Sequence, residues 1–270
     1  SDAETIYTFE TMGPLGPALE ETFPEVEQTV RFVSLWGDLE HESKVFPGEI
    51  MVTDPAVFDV FGIEMLVGDP ELVFSEPYGL CITESLAGKF FGNDDPIGKT
   101  LKLAWMDDIY VVRGVVRDPR KSQLAFQAFT TTVPNVEWTI RQLETWRPLS
   151  NTRYTHTYVK LRKGADAGAL ETKFDHLVEI SMGDEWVGKI GYRLMPVKDV
   201  WLYANQQFGI DRYGDIALLH AIAAIALSVL AIACFNYINL STARSQSRAL
   251  EVGLRKVVGA FRWQVAGKFL

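Results

Sequence analysis

A long uncharged stretch, residues 216–240, places the strongest constraint on how this chain can fold. Its 25 residues include no Asp, Glu, Lys or Arg. As an α-helix it would be about 37 Å long, which exceeds the ~30 Å hydrocarbon core of a bilayer. Ten of the residues 216–235 are Ile, Leu, Val or Phe, and at roughly −0.3 to −0.6 kcal/mol each they favour insertion. A transmembrane helix over 214–240 is therefore predicted. The alternative, a buried helix of a soluble protein, is usually shorter and interrupted by charge.

Charge is distributed unequally on the two sides of this stretch. Residues 1–213 carry 20 Lys/Arg and 33 Asp/Glu, whereas residues 241–270 carry six basic residues and only one acidic residue. Because basic flanks stay cytoplasmic, residues 1–213 are expected outside the inner membrane of a bacterium. The acidic N-terminal part argues against a nucleic-acid partner, since phosphate binding requires clustered Lys and Arg.

One face of the predicted helix is unusually rich in small side chains, spaced four and three residues apart. They are Ala217, Ala221, Ala224, Ser228 and Ala231. Small residues allow a second helix to approach closely, which is how membrane helices associate. We expect this face to pack on another transmembrane helix; an Ala-rich composition without a packing role is the alternative.

The residues after the membrane have the pattern of an amphipathic basic helix. Apolar residues recur at helical spacing over 248–270, and Arg248, Arg255 and Arg262 repeat every seven residues on another face. Glu251 can pair with Arg255 one turn later. Such a helix beside a membrane usually lies in the interface.

The string FNYINLSTARSQSRALEVGLRKVVGA, residues 235–260, resembles the signature that follows the second transmembrane helix of FtsX/MacB-like ABC transporter permeases. In that family the short cytoplasmic helix after this span docks on the ATPase subunit. The resemblance implies that seven residues lie at or near this contact: Glu251, Val252, Gly253, Leu254, Arg255, Lys256 and Gly259.

The first 213 residues predict a mixed α+β domain. Expected helices are 14–23, a short helix through Phe61 with Asp54 as N-cap and Pro55 at its first position, 84–91 capped by Thr83, and 166–180. Expected strands are 26–35, 45–53, 79–82, 100–104, 109–116, 154–162 and 190–197.

This region also resembles the periplasmic domain of the same permeases, in stretches such as TDPAVFDVFGIEMLVGDP and ITESLAGKFFGNDDPIGKTLKL. The resemblance implies two lobes, with the second inserted at roughly 64–147. It weakens over 121–150, where specificity for a substrate or partner would then lie. The implied organisation is a MacB-like periplasmic core domain over 1–213, the membrane helix over 214–240 and a cytoplasmic coupling segment over 241–270.

No catalytic, metal or cofactor site is predicted from the residues. The stretch GNDDPIGKT has five residues between its first Gly and the Gly-Lys pair, where a phosphate-binding loop needs four, so a turn into a strand is expected. His41, His156, His176 and His220 lack ligand spacing, and Cys81 and Cys234 are not expected to form a disulfide.

The resemblance therefore implies a non-catalytic permease subunit that works by mechanotransmission and exports or extracts an amphipathic substrate. The resemblance implies a separate ABC ATPase that binds ATP, a second permease subunit or half, and a membrane, and it leaves room for a periplasmic adaptor. Residues 199–213 would link domain and helix, with Trp201 and Tyr203 as interfacial anchors. Two alternatives stay open. A single-pass receptor requires a signalling domain after residue 270, and a membrane-anchored hydrolase requires a pocket within 1–213.

Overall fold

The computed structural model describes residues 8–75, 77–119, 126–131, 143–146, 155–203 and 216–257. The chain divides into two compact units, Ser1–Tyr213 and Gly214–Leu270. The first is a mixed α+β domain and the second consists, where it is described, of one long helix.

The strands of the domain are β1 (Glu10–Thr11), β2 (Val26–His41), β3 (Lys44–Thr53), β4 (Met65–Gly68), β5 (Gly79–Thr83), β6 (Thr100–Leu103), β7 (Ile109–Val116), β8 (Ala128–Thr130) and β9 (Thr155–Leu161). The helices are α1 (Leu15–Thr22), α2 (Val57–Phe61), α3 (Pro70–Ser75), α4 (Glu84–Phe91), α5 (Ala167–Glu171), α6 (Phe174–Met182) and α7 (Val197–Tyr203), with a 3₁₀ turn at Asp184–Trp186. The long helix is α8 (Ile216–Val257).

All the described strands belong to one sheet, in the order β1-β9-β2-β3-β8-β5-β7-β4, while β6 pairs with β2 and β7. The 16-residue strand β2 organises this sheet. Its first half pairs with β9, its last residues pair with β6, and it forms a long hairpin with β3. Most pairs are antiparallel, but β3 runs parallel to β8 and β5 runs parallel to β7.

Three apolar clusters fill the domain. The largest lies between α4 and strands β2, β3, β5, β6 and β7, and it includes Leu35, Ile50 and Tyr110. The second is rich in aromatic rings and centres on Phe129. The third packs α1 against α5 and α6, where the Phe23 and Phe174 rings lie 6.0 Å apart. Burial of these side chains at about 25 cal/mol per Å² of apolar surface provides the main driving force for folding.

Several predicted elements are confirmed, some with different limits. The strand pair β2 and β3 is longer than expected because the hairpin continues to His41 and Lys44. Thr83 caps α4 by accepting a hydrogen bond from the Leu86 amide at 3.3 Å. The single helix expected over 166–180 is instead two helices, α5 and α6, which end and begin on either side of residues 172–173.

The predicted cap at Asp54 is wrong. Helix α2 begins at Val57 with Ala56 at its N-cap, and no side chain caps it. The Asp54 carboxylate instead accepts from the Arg31 guanidinium, at 2.9 Å from Nε and 2.7 Å from Nη2. Two charge-assisted bonds to a guanidinium outweigh the single carboxylate-to-amide bond that a cap would provide, so the long-range partner determines where this carboxylate binds.

The predicted strand over 190–197 is also wrong. Outside one isolated bridge between Val187 and Ile190, this segment has no strand pairing with the described residues. Tyr192 and Leu194 pack against the third cluster, whereas Arg193 and Met195 are exposed. The alternation that predicted a strand is therefore present, but it reflects one-sided burial of an extended segment rather than a β-ladder.

Sequence reasoning missed the short elements β1, β4, α3, β8 and α7. Part of the expected inserted lobe over 64–147 lies outside the described residues. Its described strands β4–β8 join the sheet that also contains β2 and β3.

Candidate functional site

Helix α8 is long enough and apolar enough over Ile216–Gln246 to cross a membrane, and within the described part of the chain it alone meets this test of length and composition. Its side chains do not pack into a core: Leu227 and Phe235 are each 67% exposed. Monomeric soluble proteins rarely expose such a contiguous apolar surface. A hydrocarbon environment therefore suits this helix better than water.

The helix continues without interruption past the apolar part, through Val257. At about 1.5 Å per residue its 42 residues span about 63 Å, roughly twice the hydrocarbon thickness of a bilayer. Gly253 is its first glycine, and it contains no proline. The apolar part and the beginning of the basic segment are therefore one helix rather than two.

The five small residues of the predicted packing face all lie on α8. At 100° per residue, Ala217, Ala221, Ala224, Ser228 and Ala231 fall within about 80° of arc. The Ser228 hydroxyl donates to the Ala224 carbonyl at 2.8 Å, so its donor is satisfied within the helix. This bond removes most of the cost of placing a hydroxyl in hydrocarbon. The packing of this face on another helix stays a prediction.

The residues expected to dock on an ATPase lie in the last described turns of the same helix. The structure places Glu251, Val252, Gly253, Leu254, Arg255 and Lys256 within α8, while Gly259 lies outside the described residues. Gly253 and Leu254 are exposed, and the side chains of the other four are not described.

The described residues of the domain bear on two kinds of site, a metal site and a reactive thiol. They contain no group of three His, Cys, Asp or Glu side chains able to hold a metal ion. His41 is bonded to the Thr100 carbonyl at 2.7 Å, and His176 lies 3.3 Å from Glu179. Cys81 is fully buried, and burial raises the pKa of its thiol, which disfavours the reactive thiolate.

The GNDDPIGKT stretch forms the expected turn into a strand. The Lys99 ammonium pairs with Asp94 at 3.0 Å and lies 5.2 Å from the centre of the Phe91 ring. The Gly98 amide donates to the Val112 carbonyl at 2.8 Å. The Lys99 ammonium and the Gly98 amide, which a bound phosphate would need, therefore already have partners within the protein.

Sequence reasoning missed a buried carboxyl where the chain enters the sheet. Strand β1 has only two residues, pairs with β9, and is held further by the Thr11 hydroxyl, 2.9 Å from the Thr155 carbonyl. Burial raises the pKa of Glu10 to about 7, partly opposed by a hydrogen bond from the Thr8 hydroxyl at 3.3 Å. A two-residue strand leaves no periodic signal in the sequence, so the partner strand was needed to locate it.

Comparison with known proteins concerns the α+β domain that precedes the apolar helix. The family model of the MacB-like periplasmic core domain matches residues 5–177. The chain belongs to this family. The resemblance to FtsX/MacB-like permeases is thereby confirmed. The match ends before α7 and α8, so the predicted roles of residues in α8 are not part of it.

Solved structures share the fold of this MacB-like chain. A domain of a Porphyromonas gingivalis protein described as a permease is 24% identical, with a TM-score of 0.60 over 79% of this chain and 87% of that one. The periplasmic region of MacB from Actinobacillus actinomycetemcomitans is 17% identical, with a TM-score of 0.51 over 74% of this chain and 86% of that one. Comparison with curated proteins found no match.

Proposed function

We propose that this chain is the transmembrane permease subunit of an ABC transporter that works by mechanotransmission. Movement of a cytoplasmic ATPase would be converted into movement of the MacB-like domain, and an amphipathic substrate would be exported or extracted. The observation that carries the proposal is the continuity of α8 from its apolar part to the predicted docking residues. Membership of the MacB-like family supports the permease class and a periplasmic location for the domain at the bacterial inner membrane.

A continuous helix suits the transmission of force. Sharp kinks in helices occur at proline, at glycine or serine pairs, or at bulges, and 216–252 contains neither proline nor glycine. This segment would move as a rod about 55 Å long. A displacement at its cytoplasmic end would then appear at its outer end, as in other rigid-body transitions.

The remaining parts of the proposal concern partners. ATP would be bound and hydrolysed by a separate ABC ATPase, which would contact Glu251–Lys256 and Gly259, so this subunit would need no cofactor and perform no catalysis. The small face of α8 would pack on a helix of the same subunit or of the second permease subunit. Residues 121–150 and a periplasmic adaptor would contribute to substrate choice.

The docking contact can be tested with the native protein in detergent and the ABC ATPases of the same genome, each purified separately. The double variant Arg255→Glu/Lys256→Glu should reduce capture of the ATPase at least tenfold, because two cationic contacts become repulsive. Arg244→Glu, a charge reversal on the same helix about three turns earlier, is the control and should bind like the native chain.

Undiminished capture by the double variant would refute the docking contact. If no ATPase is captured by any form of the protein, and the complete reading frame encodes a signalling domain rather than further membrane helices, the receptor alternative replaces the transporter.

A hinge variant, Thr242→Gly/Ala243→Gly, tests separately whether the helix transmits movement. It should retain ATPase binding while losing substrate-dependent transport.

A further inference from the structure

The extended segment between the 3₁₀ turn and α7, together with the first two residues of α7, presents exposed side chains. Tyr192 and Leu194 face inward, while residues on either side of them face solvent. The exposed apolar members are Val187 at 40%, Met195 at 40% and Val197 at 49%. We use the name outward row for six exposed residues: Val187, Lys189, Arg193, Met195, Val197 and Lys198.

The row mixes apolar and cationic side chains. Lys189 lies 5.7 Å from the centre of the Trp186 ring. Among the described residues, neither Arg193 nor Lys198 has a carboxylate within ion-pair distance. These two cations remain available to a ligand.

The charge of the row contrasts with the rest of the domain. Residues 187–198 carry three basic residues and no acidic one, whereas residues 1–186 carry 16 basic and 31 acidic residues. An acidic domain is repelled by an anionic lipid surface except where a local cationic surface faces it. Exposed apolar side chains beside the cations favour the boundary between headgroups and acyl chains.

The row also lies close in sequence to the membrane span. Twelve residues separate Tyr203, at the end of α7, from Ile216, at the start of the apolar helix. This short separation in sequence limits how far the row can lie from the membrane span, so weak individual contacts suffice. The sequence position, the charge and the exposed apolar residues of the row therefore all favour contact with an anionic lipid surface.

We infer that the outward row is a binding site for the headgroups of anionic phospholipids, which holds the MacB-like domain against the outer surface of its own membrane. This goes beyond the proposed transport function and requires only that Ile216–Gln246 spans the bilayer. Each basic residue near an anionic surface strengthens association about fivefold. Three of them correspond to about a hundredfold.

The test uses the full chain in nanodiscs of phosphatidylglycerol or of phosphatidylcholine, with an environment-sensitive fluorophore on a single cysteine. The fluorophore is attached at Met195→Cys in a Cys234→Ala background, and Val45→Cys, 50% exposed on the β2–β3 hairpin, is the control position. Nitroxide lipids labelled at the headgroup report proximity. We expect quenching at position 195 but not at position 45 in phosphatidylglycerol, with little quenching in phosphatidylcholine or at about 0.5 M salt.

The charge variant Lys189→Gln/Arg193→Gln/Lys198→Gln should abolish this quenching. The matched variant Lys89→Gln/Lys102→Gln/Lys163→Gln removes the same charge elsewhere and should not. Equal quenching at positions 195 and 45 would overturn the inference. Quenching at position 195 that is the same in phosphatidylglycerol and phosphatidylcholine would also overturn it, and would indicate that the row binds a protein or uncharged lipid. Val197→Cys provides a second labelling position if Met195→Cys does not fold.

A fluorophore on native Cys234 separates this inference from the membrane assignment itself. Cys234 is exposed on the apolar helix and should be quenched by acyl-chain nitroxides, while buried Cys81 stays unlabelled. Quenching at 234 without quenching at 195 would overturn the lipid site and leave the transporter proposal standing. Loss of quenching at 234 would overturn both.

Discussion

Replacing Arg31 should destabilise the domain more than any exposed substitution, because this side chain joins four parts of the chain. Its guanidinium, only 14% exposed, forms a two-point pair with Asp54 just after β3. It also donates to the carbonyl of Gly13, just before α1, at 3.0 Å and to that of Leu143 at 3.1 Å. The substitution Arg31→Met keeps most of the aliphatic volume and removes all four of these bonds.

The size of the loss in unfolding free energy follows from the groups that Arg31→Met leaves without a partner. Removing one member of a buried ion pair costs about 3–5 kcal/mol, because the other charge stays desolvated without a partner. Asp54 retains 26% exposure, so water compensates part of this cost. Two carbonyls also lose a charged donor, at about 1–3 kcal/mol each if they stay dry. With this compensation by water we expect a loss of about 3–5 kcal/mol, equivalent to roughly 6–20 °C in Tm for a domain of this size.

The assay is urea unfolding of residues 1–213 monitored by tryptophan fluorescence. It compares the native chain, Arg31→Met, Asp54→Asn and the double variant. The two positions should couple, with the double variant less destabilised than the sum of the single variants by at least about 1 kcal/mol. Additive effects, or a loss below about 1 kcal/mol for Arg31→Met, would refute the claim that this pair secures the junction.

Two further predictions concern the chain's entry to the sheet and its membrane helix. Because the pKa of Glu10 is raised to about 7 in the folded state, folding favours its protonated form; stability should fall as pH rises from about 4.5 through 7, and Glu10→Gln should flatten this dependence in unfolding curves measured from about pH 4 to 8. A native slope unchanged by that substitution would contradict the assignment. On the apolar helix, Ala221→Leu/Ala224→Leu should disrupt assembly of the permease in detergent more than Ile222→Leu/Val229→Leu, as measured by crosslinking and size-exclusion chromatography, and equal effects would remove the packing face.

Part of the fold was predictable from sequence because the signals for it are local. The Thr83 cap depends on residues within one helical turn, so the pattern located it correctly. The turn at 92–100 was likewise recognisable from its spacing and its proline. The Asp54 cap failed because the competing partner, Arg31, lies 23 residues away in sequence. The 190–197 segment failed because alternation reports which side chains are buried and does not report whether a backbone ladder forms.

The sequence alone determined that this chain has an acidic α+β domain, an apolar helix and a basic end. Insertion free energies and charge counts are sums over neighbouring residues and need no knowledge of the fold. Only the tertiary structure showed that the helix runs unbroken to Val257, that β1 and β8 join the sheet, and that an extended cationic row faces solvent beside the third cluster. The sheet and the row depend on contacts between residues far apart in the chain, and no local pattern specifies them.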